Sequence, residues 1–330
     1  MMFGPLEELA HEPALTDIAV TCEGRVWVDR GSGMSEYRPA VPFRSPQVVR
    51  EYATQLCAQL GKRLDDACPI ADASSVEGIR IHAVIAPIVS MGASISIRFP
   101  SRTVPRLSGL GARGLFPSSW FPLLCGLVCK RATILITGGT GAGKTTLLKA
   151  LLAQADPAER VVSVEEVREL GTLGRGNHVS LVVREANVEG AGAIGLPELV
   201  KATLRMRPDR IILGECRGEE IADLLRAFNS GHHGGMVTLH ADSVDRVPSR
   251  LVSLGLLAGL SAPALSMLAA GAFDVVLHLE RSNGKRRIAQ IGRLSKDSER
   301  FVGEAIATWD GAGMPVPGPG WDAFLRHWTG

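Results

Sequence analysis

The chain has 330 residues, 45% hydrophobic and 21% charged, with a formal net charge of +2. That length favours two domains with cores of useful size, and the composition excludes a disordered chain. The near-neutral balance gives no global electrostatic case for nucleic acid or a membrane surface, and the excess of arginine over lysine reads as composition bias rather than as a recognition device.

In the first hundred residues, short β-rich runs at 18–21, 26–28, 79–85 and 93–99 alternate with one helical stretch at 45–60. This predicts a small α+β N-terminal domain over 1–100. Glu7, Glu8 and Glu12 interrupt the N-terminus, so no secretory leader is expected. Pro100, Pro105, Gly109, Gly111, Gly114 and Pro117 then form a stretch that neither helix nor strand tolerates well, which places a linker at 101–118.

From 119 to 330 strands and helices alternate: strand 133–137, helix 144–154, strand 161–164, helix 197–206, strand 210–213, helix 219–229 and strand 236–240. Alternation of this kind predicts a mostly parallel α/β sheet covered on both faces. Residues 251–273 are uncharged and long enough to span a bilayer. Gly255, Gly259, Gly271 and Pro263 dilute the run, and Ser261-Ala262-Pro263 reads as the start of a new helix, so two short buried helices are predicted. Residues 274–279 and 287–291, joined across Asn283-Gly284, read as a terminal hairpin. The segment 311–320 is expected to be irregular, with Trp321, Phe324 and Trp328 able to dock. The six cysteines, Cys22, Cys57, Cys68, Cys125, Cys129 and Cys216, have no C-x-x-C spacing, which fits a reducing compartment.

Gly138-Gly139-Thr140-Gly141-Ala142-Gly143-Lys144-Thr145 satisfies G-x-x-x-x-G-K-[ST] between an apolar strand and an unbroken helix. Glycines let the backbone N–H groups turn inward around phosphates, and the following helix points its positive end at the same anion. ATP or GTP is therefore expected on residues 138–146, Thr146 included. Lys144 would reach the β- and γ-phosphates, and Thr145 would offer its hydroxyl to Mg²⁺.

The strand at 210–213 ends in Gly214-Glu215, a metal-side carboxylate expected next to the P-loop strand in the sheet. A glutamate there more naturally holds Mg²⁺ through water or polarises the attacking water than ligates directly. Glu165, Glu166 and Glu169 follow the strand at 161–164 and supply candidates for a general base. His232, His233 and His240 bracket the next strand, with His240 where a γ-phosphate would be sensed; a zinc reading lacks a third ligand.

Together the P-loop, Val164-Glu165-Glu166-Val167-Arg168-Glu169-Leu170, the run from Leu204 through Gly214-Glu215 to Gly218, and Gly231-His232-His233 through His240-Ala241-Asp242 resemble the type II/IV secretion ATPase superfamily. The likeness runs over 79–280 and is greatest to the Tad/Flp-pilus branch and the conjugation-type ATPases. It implies a RecA-like P-loop domain preceded by a small N-terminal domain, nucleotide between the two, and a homo-hexameric ring. It also implies Mg-ATP hydrolysis at the cytoplasmic face of the inner membrane, in partnership with secretion or pilus platform proteins. By motif position Glu169 is the water-activating base, Glu215 the metal-side glutamate and His240 the His-box residue. Arg80 and Arg98 are the N-terminal-domain arginines that approach the phosphates, and Arg205, Arg207 and Arg217 are candidates to act across a subunit boundary. The Glu165-Glu166 pair departs from the family's usual Glu-Asp. Two other readings use the same cradle. One is a helicase-like or conjugation ATPase acting on DNA, against which stand the charge balance and the 5% aromatic content. The other, a small-molecule kinase, lacks an acceptor motif.

Overall fold

The computed structural model describes residues 3–75, 77–100, 104–171, 173–184, 186, 191–282, 284–297 and 300–330. The chain divides into two units, Met1–Thr103 with Val167–Thr172, and Val104–Glu166 with Leu173–Gly330.

In the first unit, alternation of buried and more exposed residues in five of six strands builds an antiparallel sheet with one covered face, and the edge strand Met34–Tyr37 has no buried residue. Its strands are β1 (Asp17–Val20), β2 (Val26–Asp29), β3 (Met34–Tyr37), β4 (Ile70–Ser74), β5 (Arg80–Ile85) and β6 (Ala93–Arg98), in the order β3-β2-β1-β6-β5-β4. After the short α1 (Glu7–Ala10), α2 (Pro46–Gln59) covers the sheet. Ser45 caps α2 by accepting from the Val48 amide, and Val49, Ala53 and Leu56 are fully buried under it. Ile81, Ala83, Ile95 and Ile97 point into that core. The opposite face carries Arg80 and Arg98, which stand opposite each other in the β5–β6 register. β3 and β4 were not legible in the sequence, because Met34-Ser35-Glu36-Tyr37 and Ile70-Ala71-Asp72-Ala73-Ser74 lack the β-branched and aromatic enrichment that marks a strand.

The second unit is a nine-stranded mixed sheet. Its strands are β7 (Ile134–Gly138), β8 (Val161–Glu165), β9 (His178–Val182), β10 (Arg210–Cys216), β11 (Met236–Leu239), β12 (Val275–Ser282), β13 (Lys285–Asp297), β14 (Arg300–Thr308) and β15 (Val316–Pro317). The order is β15-β14-β13-β12-β7-β11-β10-β8-β9. β12, β7, β11, β10, β8 and β9 are parallel, and β12 to β15 pair antiparallel. Every residue of β7, β8 and β11 is buried, as a parallel sheet covered on both faces requires.

The helices of this unit are α3 (Leu107–Ala112), α4 (Phe121–Cys129), α5 (Lys144–Leu152), α6 (Leu196–Thr203), α7 (Glu220–Asn229), α8 (Val247–Leu257), α9 (Ala262–Ala269) and α10 (Trp321–Thr329). α3 corrects the expectation that 101–118 is irregular throughout. Leu107 and Leu110 are buried, and their packing outweighs the helix cost of Gly109 and Gly111. Residues 251–273 are two helices as expected, with Ser261 capping α9. They are one-sided rather than buried, since Leu256, Leu257 and Met267 are more than half exposed. No helix among the described residues is long and apolar enough to cross a membrane.

The expected terminal hairpin is longer than its apolar stretches, and β14 and β15 extend it; its Asn283 lies outside the described residues. The final aromatics do dock. Phe324 and Trp328 are buried, Trp120 meets Trp309 edge-on and Trp321 at a tilt, and α10 approaches α4 so closely that a Cβ on Gly126 would collide with the Trp328 carbonyl.

Candidate nucleotide site

The P-loop sits at the carboxyl end of β7, the central strand of the sheet, where the open α/β rule places ligands. Gly138, Gly141 and Gly143 have φ of 146°, 71° and 99°, conformations that side chains rarely adopt. Gly143 caps α5 in the left-handed region, so the helix starts at Lys144 with its amides turned toward the loop. Lys144 is only 8% exposed. Its Nζ donates to the carbonyls of Gly138 at 2.8 Å and Gly139 at 3.1 Å.

From Lys144 a run of close polar contacts crosses two strands. Nζ lies 3.3 Å from His240 Nε2, and that nitrogen is 2.8 Å from Glu215 Oε1. Glu215 Oε2 accepts from Arg217 at 2.8 Å, and Arg217 donates also to Glu166 at 3.0 Å. Burial first, and then the Lys144 charge, hold the His240 imidazole below its usual range, so it is neutral near pH 7. Glu215 was expected on the strand beside β7, but β11 lies between. That spacing leaves His240, just past β11, between Lys144 and Glu215. The β10–β11 register also shifts between Leu213 and Cys216, so Glu215 stands in an irregularity that re-aims its side chain. Thr238 ties the two strands there by donating to the Gly214 carbonyl at 2.6 Å.

The three glutamates taken together in the sequence fall in three surroundings. Glu165 is 2% exposed, packed against Gly214. Glu166 is exposed and paired with Arg217. Glu169 belongs to the first unit, where Arg80 donates to it. Arg98, opposite Arg80, is exposed, as are Arg205 and Arg207. Three residues went unremarked in the sequence. His278 is 1% exposed, with Nδ1 3.0 Å from the Thr137 hydroxyl, and burial lowers its pKa. Arg281 and Arg286 border the loop; the run of Arg281, Lys285, Arg286 and Arg287 was their only signal.

Among the described residues no group of three or more His, Cys, Asp or Glu is placed to hold a metal ion. Thr145 and Glu215 offer one hydroxyl and one carboxylate. Such a set suits Mg²⁺, which keeps several waters and takes phosphate oxygens, rather than a caged ion.

This topology and cradle define a RecA-like P-loop domain accompanied by a small α+β domain. The chain belongs to the type II/IV secretion system protein family, whose model matches residues 2–303. It is 42% identical over 314 residues to a Mycobacterium tuberculosis (strain CDC 1551 / Oshkosh) protein provisionally named a conjugal transfer protein, covering 93% of this chain and 88% of that one. It is 32% identical to the type IV secretion system protein PtlH of Bordetella pertussis (84% and 89% covered), and 30% identical to VirB11 of Brucella suis (75% and 74% covered). Two solved structures share the fold. They are the pilus retraction motor PilT with bound ADP (TM-score 0.59, 17% identity, 97% and 84% covered) and the Legionella pneumophila ATPase DotB (TM-score 0.57, 20% identity, 90% and 77% covered).

Proposed function

We propose that this chain is a Mg-dependent ATPase that works as a homo-hexameric ring at the cytoplasmic face of the inner membrane and powers a secretion or Tad/Flp-type pilus machine through platform proteins. The observation that carries the proposal is the relay from the buried Lys144 through His240 to Glu215 at the mouth of the P-loop. Backbone amides of residues 138–146 cradle the phosphates, and Lys144 neutralises the β- and γ-phosphates. Mg²⁺ bound with the nucleotide, near Thr145 and Glu215, would neutralise phosphate charge. Water attacks the γ-phosphorus, the bond to the β–γ bridging oxygen breaks, ADP leaves, and the water's proton passes to a carboxylate. Family position makes Glu169 that base, with Arg80 and Arg98 on the phosphates; Glu215 is the alternative within the P-loop unit. In the proposed cycle the small domain and the motor domain open and close around nucleotide.

Phosphate release measured across a protein concentration series tests the motor reading. Turnover per chain should rise with concentration as the ring assembles. Turnover per chain that is constant down to a proven monomer would remove the ring.

A second reading, a conjugation ATPase whose turnover responds to DNA, is favoured by the 42% identical relative's name and by the 30% identical conjugal transfer protein TrbB of Rhizobium radiobacter. DNA-stimulated hydrolysis with steep salt dependence would support it, and insensitivity to DNA would leave the platform-driven motor.

A further inference from the structure

The tip of the β12–β13 hairpin runs past the end of β7. Leu279 is the last residue of β12 in register with β7, opposite Gly138, so 280–282 and 285–287 extend alongside the phosphate loop. Arg281 and Arg286 stand directly opposite each other on the loop-facing side of that tip. Arg286 Nε donates to the Gly141 carbonyl at 2.9 Å. Its Cδ lies 3.3 Å from the place a Cβ on Gly143 would take, and Arg281 Nη1 lies 3.4 Å from the equivalent point on Gly141. The neighbouring register pair, Glu280 and Arg287, is a neutralised ion pair at 2.9 Å.

No carboxylate pairs with Arg281 or Arg286 among the described residues, and both side chains are exposed. Like charges opposite each other across two strands repel and weaken the pairing. Here Lys285 adds a third positive charge at the same turn. A polyanion beside the loop relieves that repulsion, and a guanidinium suits phosphate because it presents several donors in one plane.

We propose that Arg281 and Arg286 form an outer wall of the phosphate site, contributed by the antiparallel half of the sheet. The loop amides hold the phosphate chain from within. Arg286 fixes the loop through Gly141, and both guanidinia hold the nucleotide di- or triphosphate from outside. The inference rests on the P-loop reading and adds a binding element to it.

Equilibrium titration of the full chain with ADP and with adenosine, alongside thermal melting with and without ADP, tests it. Arg281→Gln and Arg286→Gln should each weaken ADP binding about tenfold and flatten its salt dependence, with adenosine binding unchanged. Arg281→Lys should restore most of the affinity. For Arg281→Gln the melting midpoint without ADP should hold or rise, because a like-charge pair is removed, while the ADP-induced rise shrinks. Gln variants that bind ADP as the wild type does, with binding lost in Lys144→Ala, would overturn the wall and leave the P-loop. A fall in the ADP-free midpoint of Arg281→Gln with unchanged ADP affinity would make that arginine a strut and overturn the binding role. A wild type that binds no ADP would overturn both readings.

Discussion

The two halves of the nine-stranded sheet hold the loop in different ways. On the parallel side, β11 and β10 deliver His240 and Glu215 at strand ends, the neutral His240 lies between Lys144 and Glu215, and Arg217 pairs with both Glu215 and Glu166. On the antiparallel side, the β12–β13 tip presents two arginines with no carboxylate partner among the described residues. The parallel half is therefore a finished electrostatic network, and the antiparallel half carries surplus positive charge where an anion is expected. A network already neutralised suits chemistry that must be held still, whereas a surplus suits capture of a ligand from solution.

That contrast can be broken first at its foundations. Arg210 is 1% exposed at the start of β10, paired with Glu159 at 2.5 Å and donating to the carbonyls of Val128 and Gly234. Arg210→Ala leaves Glu159 without its buried partner and should cost about 3–5 kcal/mol in denaturant unfolding. A cost below about 1 kcal/mol would mean the parallel half does not depend on that pair.

A smaller effect separates the halves by pH. His278 in β12 and His240 past β11 both have folded pKa values below the ordinary histidine range, and burial is the first cause in each. The unfolded chain then binds more protons, so stability is fully present above the unfolded value, about 6.5, and is lost as pH falls through and below it. His278→Gln should flatten the fall in melting temperature between about pH 7 and pH 5. An unchanged slope would assign the acid sensitivity elsewhere, with His240 the next group to replace.

Legibility in the sequence followed the same division. β7, β8, β10 and β11 stood out because strands buried on both faces are short continuous apolar runs, and Gly138, Gly143 and Lys144 were fixed by what a phosphate loop demands. The order of the strands was not readable, since no local signal places β11 between β7 and β10, and so the bridging role of His240 emerged only from the topology. Of β13 only the stretch 287–291 was legible, as the return arm of the hairpin; the rest of β13 and all of β14 are made strands by their pairing partners. Glu169 shows the limit most clearly. It is four residues past Glu165 in sequence, yet Val167–Thr172 groups with the first unit, a long-range outcome that spacing along one segment cannot encode.

The central claim is that Lys144 and the relay to Glu215 act on a bound nucleoside triphosphate. It is tested most directly by single-turnover phosphate release from Mg-ATP in the wild type, Lys144→Ala and Glu215→Gln, with circular dichroism confirming that each variant is folded. The account predicts a loss on the order of 10²–10³ in rate for Lys144→Ala, the scale of removing one preorganised donor to developing charge, and a clear loss for Glu215→Gln. Release from Lys144→Ala at the wild-type rate would contradict it.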